Sequence, residues 1–160
     1  MPRFFSFLDP SSSTIAGCSI PRNELDIDAL EQAGFRLVIT LIRESPLSPS
    51  WFRREDRTPK QIQNAFVPIE NRKAPAFPEV EESIPGLASP PHRRATLIHC
   101  GGGKGRAGIV LAAHLIRFGL IVVKRADCLN RYEPMMTAKD AIAHLREIRP
   151  GSIESVEQEK

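Results

Sequence analysis

Cys100 and Arg106 stand with five residues between them in the run His-Cys-Gly-Gly-Gly-Lys-Gly-Arg-Ala-Gly that occupies positions 99–108. A thiol and a guanidinium so separated reach one oxyanion if the chain between them wraps around it. The sulfur then lies beneath phosphorus and the guanidinium pairs with two oxygens. Gly101, Gly102, Gly103 and Gly105 supply the wrapping, because glycine lets successive backbone N–H groups turn inward as an anion-binding nest. Lys104 adds a charge within the loop. A helix start after the loop adds free amides and the positive end of its dipole. The same field favours a thiolate nucleophile. No metal or organic cofactor is expected.

The elements around the loop follow from pattern. Residues 96–99 read as a strand entering it. Ala107, Val110, Leu111, His114, Leu115 and Phe118 recur at helical spacing beyond it, closed by Gly119. Residues 4–8 read as a short strand. Asn23 reads as an N-cap with Asp26 three positions on, Leu25, Ala29, Leu30 and Ala33 as a helix face, and Gly34 as the stop. Residues 35–41 are a β-branched, buried strand, and residues 66–69 a brief extended stretch. Residues 45–60 and 70–78 are proline-bounded loops. Residues 79–87 are a helical segment that Pro85 kinks or ends. Thr137 caps a last clear helix with Ile142, Leu145 and Ile148 inward, ended by Pro150-Gly151. Helices alternating with short apolar strands indicate an α/β fold, a sheet flanked by helices on both faces. At 160 residues the chain suits one domain, with no internal repeat.

Charge placement agrees with an anionic ligand. Residues 83–126 contain no Asp or Glu but hold Arg93, Arg94, Lys104, Arg106, Arg117, Lys124 and Arg125, leaving 15 basic and 19 acidic residues elsewhere. Because this acid-free segment brackets the loop, its charge reads as a surround for one dianion, not a nucleic-acid face. Cys18, Cys100 and Cys128 are odd in number, irregularly spaced and without a CxxC pair, which argues against a disulfide framework or a structural zinc site. Cys18 and Cys128 read as structural. The N-terminus is apolar too briefly for a signal peptide, and no run approaches the roughly 20 apolar residues of a membrane span. A cytoplasmic monomer with access to the nucleus is expected.

Two other phosphate loops compete for the same glycines. Residues 103–108 also match GxGxxG, and residues 120–123 are a candidate second strand reaching Asp127, placed for a ribose-binding acid. Only 33 residues follow Asp127, too few for the rest of a doubly wound sheet, and Cys100 and Arg106 would then share no purpose. A Walker loop fails because Gly105, not Ser or Thr, follows Lys104.

The Cys-x5-Arg loop is the signature of protein tyrosine phosphatases. The blocks TIAGCSIPR, VPIENRKAP, HCGGGKGRAG and RPGSIESVEQEK, in this order along the chain, resemble the small atypical dual-specificity phosphatases, especially the VH1-like phosphatase Z type. The resemblance implies one cysteine-phosphatase domain over residues 1–160, a central mainly parallel sheet, and metal-free hydrolysis of phosphomonoesters. Cys100 would form a phosphocysteine intermediate, Arg106 would stabilise the transferring phosphoryl group, and His99 would hold the loop and tune Cys100 indirectly.

Three positions depart from or refine the pattern. Asn71 falls where the family's aspartic acid protonates the leaving oxygen, help worth about 10²–10⁴-fold in rate. Adjacent Glu70 is the candidate substitute, although neighbouring extended residues point to opposite sides. An engineered Asp→Asn change and a naturally slow enzyme are the other readings. Ala107 stands where a Ser or Thr usually assists phosphocysteine breakdown. Lys104 also occurs in phosphoinositide phosphatases, or is a solvated lysine at the loop rim. Arg53, Arg54, Arg57, Arg72 and Lys73 read as surface charges. The expected partner is a phosphorylated protein or another phosphomonoester. A phosphate-recognition module with little turnover is the alternative, with phosphoinositide and RNA 5′-phosphate hydrolysis behind it.

Overall fold

In the computed structural model the described residues are 1–8, 15–71, 73, 95–119 and 135–159. Five strands form one sheet in the order β1-β2-β5-β3-β4: β1 (Ser6–Phe7), β2 (Ile15–Cys18), β3 (Phe35–Thr40), β4 (Gln63–Phe66) and β5 (Ala95–His99). Only β1 runs antiparallel to its neighbour; β2, β5, β3 and β4 are mutually parallel. The helices are α1 (Glu24–Gln32), α2 (Gly105–Phe118), α3 (Ala138–Ile148) and α4 (Val156–Glu159). None of them is long and apolar enough to cross a membrane.

Successive strand residues point to opposite faces, so each central strand feeds two cores. Ile15, Ile39 and Ile98 pack with Val110, Leu111 and Leu115 of α2 and Leu145 of α3. Ala16, Val38 and Leu97, each next in sequence to one of these, pack on the other face with Ile27 and Leu30 of α1. The sheet is therefore covered on both sides, which explains its nearly continuous apolar strands.

Both capping expectations hold. The Asn23 side chain accepts from the Asp26 amide, and the Thr137 hydroxyl accepts from that of Asp140. The buried face of α1 differs from the sequence reading, because Leu25 is 74% exposed while Asp26, Ile27 and Leu30 are buried. Asp26 tolerates burial by accepting from the Arg22 backbone and guanidinium, which rotates Leu25 out to solvent. In α3, Leu145 is fully buried, while Ile142 and Ile148 are half-buried against the core. Strand β2 had no strand signal, being four residues long with two of them Ala and Gly. The extended stretch read at 66–69 begins earlier, at Gln63, and continues past Phe66 as Val67 and Ile69 donate to Thr40 and Leu41. The helical segment at 79–87, the strand at 120–123, Asp127 and Cys128 lie outside the described residues.

The register sets up the site. Cys18 pairs with His99, His99 with Thr40, and Thr40 with Phe66, so four parallel strands end on one line. The segments leaving them, at 19–20, 41–44, 67–71 and 100–104, emerge side by side. This carboxyl edge of a parallel sheet is where ligands bind in such folds.

Candidate active site

The loop between β5 and α2 buries Cys100 at its base. Its shape is enforced through carbonyls that the surrounding chain holds. The Ile20 amide donates to Gly101 O at 3.1 Å, and Arg149 Nη2 donates to Gly103 O at 2.7 Å. Lys104 O accepts from Gly108 and Ile153. In a trans peptide the N–H opposes the C=O. Tying Gly101 O and Gly103 O away from the concavity therefore turns the Gly102 and Lys104 amides into it. Only glycine fits at position 103: its φ is +77°, and a Cβ there would lie 2.5 Å from the Cys18 carbonyl.

Arg106 is 6% exposed in the first turn of α2. Its Nη1 donates to Glu44 Oε2 at 3.1 Å and to Ile69 O at 3.3 Å, acceptors in the segments after β3 and β4. Among the described residues Nε and Nη2 carry no hydrogen bond. That edge of the guanidinium has the fork geometry that suits two oxyanion oxygens. Nη2 also lies 3.9 Å from where a Gly101 Cβ would stand, so the fork borders the loop. The Arg106 hydrogen bond holds the Glu44 carboxyl below its usual range.

His99 is fully buried beneath the loop. Its Nε2 meets Thr40 Oγ1 at 2.9 Å, and that hydroxyl donates to Asn64 Oδ1 at 2.7 Å. Nδ1 lies 3.4 Å from the Cys100 carbonyl, an oxygen that can only accept, so a proton on Nδ1 donates to the base of the loop. Burial, reinforced by the Arg106 charge, pushes the imidazole down to about 4, so it is neutral near pH 7.

The structure thus brings Cys100, Arg106, His99 and Gly101, Gly102, Gly103 and Gly105 together. The side chains of Glu70 and Asn71 are exposed, although the Ile69 carbonyl just before them meets Arg106. The Glu70 carboxylate is ion-paired with Lys73 Nζ at 2.8 Å. The Lys104 ammonium stands 4.7 Å over the Phe4 ring, along the N-terminal segment. Arg53 and Arg57 are exposed, and Arg54 pairs with Glu31. Cys18 is buried beside the loop, where burial pushes its thiol up.

Sequence reasoning missed Glu44, Thr40, Asn64 and Arg149. A usable signal existed for Thr40 alone, which lies at the carboxyl end of the strand read at 35–41, on the edge where ligands bind in a parallel sheet. Arg149 carried no signal beyond its place in the RPGSIE block.

A family model described as Swiss Army Knife protein, DSP-PTPase phosphatase domain, matches residues 2–160. Among solved structures the chain is similar to Tk-PTP in its active form, at 25% identity and TM-score 0.70, over 99% of this chain and 92% of that one. It is also similar to kinase associated phosphatase carrying serine in place of its catalytic-site cysteine, at 22% identity and TM-score 0.72, over 99% and 91%. Human DUSP28 matches at 17% identity and TM-score 0.65, over 99% and 89%.

Proposed function

The chain belongs to the DSP-PTPase phosphatase domains of the Swiss Army Knife type, and on that premise we propose that Cys100 and Arg106 carry its phosphomonoester hydrolysis. Cys100 Sγ attacks phosphorus in line; the S–P bond forms as the bond to the leaving oxygen breaks. The Arg106 fork and the inward amides hold the equatorial oxygens, where charge is concentrated in the transition state. Water then cleaves the S–P bond, releasing phosphate and regenerating the nucleophile. His99 acts without touching substrate, as a neutral brace tied to Thr40 and Asn64.

The observation that carries this reading is the loop itself, with its carbonyls tied away from the concavity, Cys100 at its base and the open edge of Arg106 beside it. The test is hydrolysis of p-nitrophenyl phosphate by the unmodified chain and by Cys100→Ser. Equal rates would overturn it.

The substrate class follows from the leaving group. Asn71 supplies no proton, Glu70 is held by Lys73, and Ala107 brings no hydroxyl to the second step. The enzyme therefore works best on phosphomonoesters whose leaving oxygen needs little help, activated small aryl phosphates, and works slowly on phosphotyrosine, phosphoserine and alkyl phosphates. It does so as a cytoplasmic monomer. Lys104 lies over Phe4 and lends no support to a multiply phosphorylated lipid. The same absent acid favours a second reading, a phosphate-recognition module. Calorimetric phosphopeptide binding without product would support that module, and rapid hydrolysis would exclude it.

A further inference from the structure

We infer that Arg149 is a positioning residue of the phosphate loop, orienting the loop for an oxyanion through its hold on Gly103. The inference rests on the phosphatase reading above. Arg149 follows α3 and is 6% exposed. Its guanidinium donates to Phe4 O at 2.9 Å, Ser6 Oγ, Gly17 O at 2.6 Å and Gly103 O at 2.7 Å. One side chain thus joins the N-terminal segment, β2, the loop and the end of α3.

Every one of these acceptors is uncharged, and no carboxylate among the described residues pairs with the guanidinium. Its Nε, also buried, has no hydrogen-bond partner among the described residues. Burial lowers the guanidinium, yet arginine keeps its proton in proteins. An apolar side chain would fill this volume without the desolvation cost of a charge. The cation must therefore do what an apolar group cannot, which is to hold several carbonyl oxygens at once.

The glycines show how closely the chain is fitted to it. A Cβ on Gly17 would stand 2.9 Å from Arg149 Cζ, so β2 makes room for the guanidinium. Gly103 has a positive φ and no space for a Cβ, so no side chain of its own can stiffen the loop there. Glycine is the most conformationally free residue, and an external tether is what removes that freedom. By fixing the Gly103 carbonyl, Arg149 fixes the Lys104 N–H on the opposite side of the peptide plane. That amide is the last of the loop before α2. Phe4, whose φ of +51° is unusual for a bulky residue, is held by the same guanidinium.

The experiment compares the unmodified chain with Arg149→Lys and Arg149→Met. It reads thermal unfolding, kcat and KM for p-nitrophenyl phosphate, and orthovanadate affinity by calorimetry. Lysine keeps the charge but lacks the planar fork that spans several acceptors. The inference expects a folded Arg149→Lys with kcat/KM and vanadate affinity each reduced about 10- to 100-fold, the scale of misplacing a reacting group by about 1 Å. Arg149→Met, where it folds, falls further. Unchanged vanadate affinity and kcat/KM in folded Arg149→Lys, with only a lower unfolding temperature, would overturn the inference and leave a purely structural role. Failure of the phosphatase reading shows separately, as no Cys100-dependent hydrolysis by the unmodified chain.

Discussion

Glu44 Oε2 lies 3.1 Å from Arg106 Nη1, so the guanidinium that faces the phosphate loop is held from behind by an exposed carboxylate. The pair does two opposed things. It fixes the plane of Arg106, directing the Nε and Nη2 edge toward the loop. It also places a negative charge near the loop proposed to receive a dianion.

Glu44→Gln separates these effects. The amide oxygen can still accept from Nη1, but the charge is gone. Inhibition by inorganic phosphate should strengthen roughly two- to fivefold at low salt and less in high salt, since an exposed charge is well screened. Glu44→Ala, losing the hydrogen bond as well, should lower kcat. The pH dependence has a definite sign. The Glu44 carboxyl is held below its usual range, so the ion pair persists above the ordinary carboxylate pKa and is lost as pH falls through the lowered value. The ratio of phosphate inhibition constants between the unmodified chain and Glu44→Gln should fall to unity across that acid range. A ratio that stays constant with pH would contradict the assignment.

His99 makes folding sensitive to pH. Its folded pKa is about 4 against an ordinary 6.5, so the unfolded chain binds the extra proton between those values. Stability contributed by the neutral imidazole is complete above pH 6.5 and is lost as pH falls toward 4. The shift corresponds to about 3 kcal/mol at most. Urea titrations from pH 7 to pH 4 should give a steeper loss for the unmodified chain than for His99→Asn.

Thr40→Val leaves the buried His99 Nε2 and the Asn64 amide oxygen without their shared partner. It should cost about 1–3 kcal/mol of stability and lower kcat through the loop that His99 braces. Equal stability and unchanged kcat would show that the Asn64–Thr40–His99 chain has no role.

Restoring an acid tests the leaving-group reading. Asn71→Asp should raise kcat about 10- to 100-fold on phenyl or alkyl phosphates and little on p-nitrophenyl phosphate. Glu70→Gln should change neither substrate appreciably, because its carboxylate is already engaged by Lys73. A large loss in Glu70→Gln on poor leaving groups would identify Glu70 as the acid.

What the sequence disclosed and what it hid divide along physical lines. The loop residues Cys100 to Arg106 were legible because thiol, glycines and guanidinium are contiguous, and their chemistry depends on local spacing. Strands β3 and β5 were legible because burial on both faces makes a short apolar run. Strand β2 was not, since Ile-Ala-Gly-Cys has little β-branching and its glycine makes room for both Leu111 and Arg149. Glu44, Asn64 and Arg149 reach the loop only through long-range pairing, 62 residues in sequence in the case of Glu44 and Arg106 and 46 for Arg149 and Gly103. No local pattern encodes such contacts. The register of β2, β5, β3 and β4 creates them by ending four strands on one line.

The most direct measurement is a rapid-quench experiment with a 32P-labelled aryl phosphate, comparing the unmodified chain with Cys100→Ser and Arg106→Lys. The account expects label to appear on the protein within the first turnover, in a bond stable to alkali and labile to acid oxidation of sulfur. It expects no label in Cys100→Ser and at least about 100-fold slower labelling in Arg106→Lys, whose ammonium lacks the bidentate fork. Label transfer or phosphate release by Cys100→Ser at the rate of the unmodified chain would contradict it.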